Sequence, residues 1–233
     1  MRLFPSRDLS VLLVFLAVSV MLPLQEARAA AACAGMPPSQ LQMFDITARE
    51  AQVITVPPAK IERYPQGDVA SRHTLMLSQA RVVTMIEITH RIIPRDDGLV
   101  CDAPTMVRIG LGFDRRTVLL GSPAAEDVCV RQIMLDHEAA HAQALTKVVD
   151  EFIDRRTADL AQGVTALKVT PAPNADTVKR QLEAGVRVVV AAIRQELIEA
   201  LQTSMAEADR PTALAALEKA CGGAVQKLEG HQD

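Results

Sequence analysis

The chain of 233 residues has very few aromatic side chains, with no tryptophan, one tyrosine and five phenylalanines. Its 25 lysines and arginines are outnumbered by 28 aspartates and glutamates, so the net charge is −3. Proteins that bind nucleic acid typically need a basic surface, and those that bind single strands add aromatic residues on which bases stack. The composition therefore predicts no nucleic-acid partner.

Long apolar runs are also missing, with one exception near the N-terminus. Leu9 to Leu24 is apolar, Arg2 and Arg7 precede it, and the small-residue sequence Ala-Arg-Ala follows at 27–29. This order is typical of a secretory signal peptide, and the run is shorter than the roughly 20 residues that span a bilayer. The sequence predicts a signal peptide over residues 1–29 and an exported, periplasmic mature chain without a membrane span. Secretion beyond the periplasm stays open.

Cysteine is scarce, with four residues that lack the close spacing of a zinc-cysteine site. An even number in an exported protein favours two disulfides, and four cysteines allow three connectivities. Cys101 to Cys129 is the preferred bridge, because both residues flank the hairpin predicted below. Cys33 follows a run of alanines and so offers lipidation as an alternative, although residues 25–32 separate it from the apolar run.

Residues 30–121 contain short runs rich in Val, Ile, Thr and Met, with frequent period-two alternation. Turn residues separate the runs, among them Pro-Arg-Asp-Asp-Gly at 94–98 and Phe-Asp-Arg-Arg at 113–116. The pattern predicts a small, largely antiparallel sheet that ends in a hairpin from Thr105 to Leu120.

Residues 122–233 carry apolar side chains at spacings of three and four, which is typical of helices. Ser122 and Pro123 fit an N-cap and a first helical position, and no Gly or Pro follows until Gly163. The sequence predicts a first helix of about 30 residues or more, a second over about Ala175 to Ala208, and a short third from Pro211.

Together these patterns predict one α+β domain over residues 30–233. Its first part, 30–121, is expected to be rich in strands. Its second part, 122–233, is expected to form a long helical hairpin and a short C-terminal helix.

His137 and His141 lie four residues apart on the inward face of the predicted first helix, with Glu138 beside the first of them. Side chains at this spacing project side by side, so both imidazoles can bind one tetrahedral metal ion. Zinc lowers the pKa of a bound water from about 15.7 toward 7, and a neighbouring carboxylate can take its proton. The pattern predicts zinc ligands at His137 and His141 with Glu138 as the general base. The alternative is a pair of packed histidines with hydrogen-bond partners in the core.

Glu196 is the predicted third zinc ligand. It interrupts the apolar seam of the second helix, where an unpaired charge would be costly. In an antiparallel hairpin that closes near Gly163, the distances along the two helices, roughly 33 and 30 Å, bring Glu196 level with the histidines. Glu199 is the fallback, nearly one turn further on. The alternative for Glu196 is a seam residue paired with a nearby arginine.

The His-Glu-x-x-His pattern, with a glutamate on a later helix, resembles zincin metallopeptidases. The order of extended hairpin, cysteine and motif-bearing helix is also similar to uncharacterised exported bacterial families described as zinc-dependent proteases. The resemblance implies zinc ligands at His137, His141 and Glu196, water activation by Glu138, and a peptide substrate lying along the strand at 117–121. The chain departs from the zincin pattern at Met134 and Gln143, where zincins prefer Val or Thr and a hydrophobic residue.

The sequence thus predicts an exported zinc-dependent hydrolase, a peptidase acting on a peptide or protein substrate. The alternative is a non-catalytic periplasmic helical binding or scaffold protein, a degenerate zincin. His73 and His90 are candidates for stabilising an oxyanion, and the alternative is that they are ordinary surface or strand residues.

Overall fold

The computed structural model describes residues 40–229 of the chain. The predicted signal peptide over residues 1–29 and Cys33 therefore lie outside the described residues. Within them, every strand precedes residue 122 and the long helices follow it. The predicted α+β class is confirmed, although two small sheets replace the single sheet that was expected.

The first sheet has three strands in the order β1-β6-β5, with bounds β1 Gln40–Asp45, β5 Val82–Pro94 and β6 Val100–Phe113. β5 and β6 form a long antiparallel hairpin, and β1 runs parallel to β6. The hairpin turn is the predicted Pro-Arg-Asp-Asp-Gly segment, in which Gly98 has a φ of +79°. Because glycine adopts that conformation at no steric cost, the turn was predicted correctly, whereas the hairpin itself had been predicted only for the next turn, 113–116.

The second sheet has four strands in the order β2-β7-β4-β3, with bounds β2 Ala51–Val56, β3 Val69–His73, β4 Met76–Ala80 and β7 Arg116–Gly121. β2 runs parallel to β7, and the other neighbours are antiparallel. A short helix, α1 (Pro58–Arg63), connects β2 to β3. Proline at its first position suits a helix start, where the missing N–H has no partner to lose.

The hairpin expected from Thr105 to Leu120 does not form, because β6 and β7 belong to different sheets. The Arg81 N–H donates to Asp114 Oδ1 at 3.0 Å, and the Asp114 N–H donates to the Arg81 carbonyl oxygen at 2.9 Å. These two bonds attach the connection between β6 and β7 to the residue that precedes β5. β7 has a hydrogen-bonded neighbour on each side, so it offers no free edge for a peptide substrate.

Four helices follow: α2 (Ser122–Glu126), α3 (Val128–Thr165), α4 (Ala175–Ala208) and α5 (Pro211–Glu229), the last with a kink at 220–223. The long first helix is thus split, since Asp127 starts a new helix by accepting the Val130 N–H at 3.0 Å. α4 has the predicted bounds, and Asn174 caps it by accepting the Thr177 N–H at 2.9 Å. None of the helices within residues 40–229 combines the length and apolarity needed to cross a membrane.

α3 and α4 pack antiparallel and cover the first sheet. Their buried residues share one core cluster with β6, including Val107, Ile109 and Leu111. The segment between the helices is joined to the sheet, because Val100 and Ala172 exchange backbone hydrogen bonds of 2.8 and 3.2 Å. α4 therefore begins against the sheet, beyond the C-terminal end of α3. It does not begin beside the last residues of α3.

A disulfide joins Cys129, in the first turn of α3, to Cys221, at the kink of α5. The preferred bridge from Cys101 to Cys129 is therefore wrong. Cys101 is also disulfide-bonded, but it is buried in β6 and not paired with Cys129. The error follows from the missing hairpin, since Cys101 and Cys129 were expected to meet across it.

Replacing both Cys129 and Cys221 by serine should lower the free energy of unfolding by about 3–5 kcal/mol. The bridge closes a loop with a sequence separation of 92, and long loops lose the most chain entropy when they are cross-linked in the unfolded state. Urea unfolding at neutral pH would measure the loss. Cys129→Ser alone should lose a similar amount, because it also removes the bridge. An unchanged unfolding midpoint in both variants would contradict the prediction.

Candidate metal centre

Three side chains converge between α3 and the C-terminal end of α4: His137, His141 and Asp209. The Nε2 atoms of His137 and His141 lie 3.0 and 2.8 Å from Asp209 Oδ1. The ligand atoms of all three residues lie within 4.8 Å of one another. Zinc binds nitrogen and oxygen ligands at roughly 2.0–2.2 Å, so small adjustments would bring all three onto one ion.

Local structure explains how each side chain reaches this point. The two histidines share one face of α3, and their ring centroids are 4.3 Å apart. Asp209 follows the last residue of α4, where its N–H donates to the Met205 carbonyl oxygen at 3.0 Å. From the second sheet, the Ser71 hydroxyl donates to Asp209 Oδ2 at 2.5 Å. This bond leaves Oδ1 facing the two imidazoles.

The centre is partly open to solvent. The His141 side chain is fully buried, whereas the side chains of His137 and Asp209 keep 15% and 22% of their surface exposed. Three protein ligands with one accessible side are the pattern of metal sites that keep a position for water or substrate. The side of the site that faces solvent is formed by His137 and Asp209.

The Asp209 carboxylate is stabilised in its charged form. Burial by itself would raise its pKa, but hydrogen bonds from His137, His141 and Ser71 outweigh burial and hold the pKa well below the ordinary 3.8. The carboxyl group is therefore ionised throughout the neutral range, as a metal ligand must be.

Asp209 should stabilise the fold less as the pH falls. Because its pKa is lower in the folded than in the unfolded chain, its contribution is fully present above the ordinary value of 3.8 and is lost as the pH drops toward the folded pKa. The difference in unfolding free energy between the wild type and Asp209→Asn should thus be larger at pH 6 than at pH 3. Equal differences in urea unfolding at the two pH values would rule this out.

Glu138, the predicted general base, lies inside the protein and is only 4% exposed. Its Oε1 accepts a hydrogen bond of 2.5 Å from Arg116 Nη1 at the start of β7, and Arg116 is itself buried. Its Oε2 has no hydrogen-bond partner among residues 40–229 and lies 3.9 Å from His141 Nδ1. Glu138 therefore approaches the Nδ1 edge of His141, whereas Asp209 approaches its Nε2 edge.

The arrangement around His141 suits a metal ligand. When Nε2 binds a metal, Nδ1 carries the proton and needs an acceptor, which is commonly a carboxylate. In the part of the chain that the structure describes, His141 Nδ1 is buried without a hydrogen-bond partner, and so is the Oε2 atom of Glu138. At 3.9 Å the two are too far apart for a hydrogen bond, but a small shift would join them.

Glu196, the predicted third ligand, does not lie beside the histidines. Its carboxylate pairs with Arg156 of α3, so the predicted alternative of a seam residue bound to an arginine describes its position. Arg156 follows His141 by fifteen residues, or about 22 Å along the helix. The fallback, Glu199, is exposed and accepts a hydrogen bond of 3.1 Å from Gln195.

The register explains the correction. The sequence pattern placed the turn of the helical hairpin near Gly163, with the start of α4 beside that residue. In the structure, a Cβ at Gly163 would lie 3.5 Å from Val189, more than three turns into α4. The carboxylate that reaches the histidines therefore comes from further along the chain. One feature of the sequence could have pointed to Asp209: it lies at the end of α4, just before Arg210-Pro211.

The two candidate oxyanion stabilisers are paired elsewhere. His73 Nε2 lies 3.1 Å from Glu229 of α5. His90 Nδ1 lies 2.6 Å from Asp102, a buried aspartate of β6. The structure therefore adds neither histidine to the centre.

Comparison with known proteins finds no match to any protein-family model, curated protein or solved structure. The resemblance to zincins stays a prediction.

Proposed function

We propose that this chain is an exported zinc-dependent hydrolase whose zinc is held by His137, His141 and Asp209. The observation that supports the proposal is the convergence of two imidazoles and an ionised carboxylate on one point, with one side accessible to solvent. Imidazole and carboxylate ligands suit zinc, and three protein ligands leave a position for water. Bound zinc would supply an acidified water able to attack an amide or ester carbonyl.

In the proposed hydrolase, Glu138 is the residue that accepts a proton from the attacking water. Its carboxylate lies one residue from His137, but it is bonded to Arg116 in the structure. The role therefore requires that the carboxylate turn away from Arg116 when substrate and metal are both present. Peptides remain the proposed substrates, although β7 provides no free edge for them.

A non-catalytic zinc-binding scaffold is the second candidate. It is favoured by the buried ion pair between Glu138 and Arg116, which occupies the carboxylate that hydrolysis needs. In the scaffold, zinc would join α3 to the α4–α5 junction, and Glu138 would only orient His141. The Cys129–Cys221 disulfide also ties α3 to the C-terminal part of the chain, at the kink of α5, and is compatible with an exported protein.

Two measurements separate the candidates. Elemental analysis of the purified full chain after dialysis against zinc should find one zinc per chain in both cases. A library of quenched fluorescent peptides should be cleaved only if the protein is a hydrolase, and Glu138→Gln should then abolish cleavage while zinc stays bound. One bound zinc without turnover would select the scaffold. No bound zinc would reject both candidates.

A further inference from the structure

The Cys129–Cys221 disulfide lies at the surface of the protein. Cys129 is exposed in the first turn of α3, beside Val128, which keeps 72% of its surface accessible, and Cys221 is half-buried. Cys101, which belongs to a different disulfide, is buried in β6 and only 2% exposed. Because a thiolate must reach a sulfur atom to exchange with it, the two disulfides should differ in reactivity, and Cys129–Cys221 is the accessible one.

The backbone at Cys221 is held in an unfavourable conformation. Its φ of +54° is the only positive φ of a non-glycine residue within residues 40–229, and Gly222 and Gly223 continue the left-handed turn with φ of +65° and +79°. Glycine adopts this conformation readily, whereas a residue with a Cβ does so at a cost. Such conformations persist where the surroundings enforce them, and they cluster at switch regions. Here the disulfide is the covalent bond that fixes Cys221 next to α3.

Beyond the kink, a short piece of α5 buries little apolar surface against the rest of the fold. We call residues 224–229 the C-terminal segment. Val225 is its one fully buried residue and packs in the apolar cluster that contains Met134 of α3. At the end of the segment, the Glu229 carboxylate lies 3.1 Å from His73 Nε2. Segments with so few buried apolar side chains open locally at low free energy, so the disulfide is well placed to keep this one closed.

We propose that the Cys129–Cys221 disulfide is a redox switch, whose reduction by a dithiol releases the C-terminal segment from α3 while the rest of the fold stays in place. The first thiolate of the dithiol attacks Cys129 Sγ, a mixed disulfide forms, and Cys221 Sγ leaves as a thiolate. The second thiolate then displaces Cys129 Sγ, so the protein gains two electrons and two protons and the dithiol becomes a disulfide. Release uncovers the apolar face of α3 at Met134, about one turn before His137. The switch operates whether or not zinc is bound.

Reduction of the native full chain tests the difference between the two disulfides. Dithiothreitol is titrated at neutral pH, free thiols are trapped with iodoacetamide, and peptide mass mapping locates the alkylated cysteines. Cys129 and Cys221 should become alkylated at a dithiothreitol concentration at least about ten-fold lower than Cys101 requires. Opening of both disulfides at the same concentration, or of the Cys101 disulfide first, would overturn the proposal.

Backbone NMR relaxation of the full chain then tests the release itself. On reduction, the amide order parameters of the C-terminal segment should fall from about 0.85 to below about 0.6, while those of β6 and α4 stay near 0.85. Cys129→Ser should show the low values without reductant, whereas Val128→Ser, the matched control that keeps the disulfide, should behave as the wild type does. Order parameters near 0.85 in the reduced C-terminal segment would overturn the proposal, as would an equal loss of order in β6.

Discussion

Replacing Asp209 by alanine should weaken zinc binding by at least about 100-fold, whereas Glu196→Gln should leave it unchanged. Loss of a partner that only orients a metal ligand typically costs 10–100-fold, and loss of a direct ligand should cost more. Asp209 Oδ1 lies within 3.0 Å of both imidazoles, and Glu196 is bound to Arg156 elsewhere on α3. Competition with a chromophoric chelator would give both affinities.

Two further variants complete this test. Ser71→Ala removes the hydroxyl that holds Asp209 Oδ2 and should weaken zinc binding by about 10-fold, less than the loss of the ligand itself. His141→Ala should match Asp209→Ala, because each removes one of three ligands. Equal zinc affinity of Asp209→Ala and the wild type would show that the centre is not formed by these residues. A loss in Glu196→Gln would restore the ligand predicted from the sequence.

Arg116→Met should lower the free energy of unfolding by about 3–5 kcal/mol, because it leaves the Glu138 carboxylate buried without its partner. The double variant, Arg116→Met with Glu138→Leu, should recover most of that loss. Replacement of a whole buried ion pair by apolar side chains is often neutral or stabilising, whereas removal of one partner is not. Urea unfolding of Arg116→Met, of Glu138→Leu and of the double variant would give the coupling energy between the two residues.

The chain offers a matched control of the same residue types. Arg156 and Glu196 form an ion pair with side chains that are 34% and 43% exposed. Arg156→Met should therefore cost only about 0–1 kcal/mol, since solvent screens the exposed pair. Similar losses at Arg116 and Arg156 would show that the Arg116 pair is not as buried as the structure indicates.

Local signals in the sequence predicted much of the secondary structure. The turn at 94–98, which contains Gly98, was predicted from its residues, and the apolar spacing of three and four located α4 although Gly185 lies inside it. The two histidines were placed on one helical face because positions four apart always lie together. Each of these predictions depends on residues that are close in the chain.

Predictions that joined distant residues were less successful. The hairpin from Thr105 to Leu120 was wrong because a short turn does not reveal which strands will pair. The Cys101–Cys129 bridge depended on that hairpin and is replaced by Cys129–Cys221. The prediction of Glu196 depended on the register of two long helices, and the different closure places Asp209, not Glu196, beside the two histidines.

By itself, the amino-acid sequence determined the α+β class, the helix that carries His137 and His141, and the likeness of this pair to a metal-binding motif. These features follow from backbone periods that repeat every two or about four residues. Only the tertiary structure decided that Asp209 faces the imidazoles and that Glu138 is bonded to Arg116. Such contacts depend on the register and packing of helices and sheets against one another. No local sequence pattern determines that register.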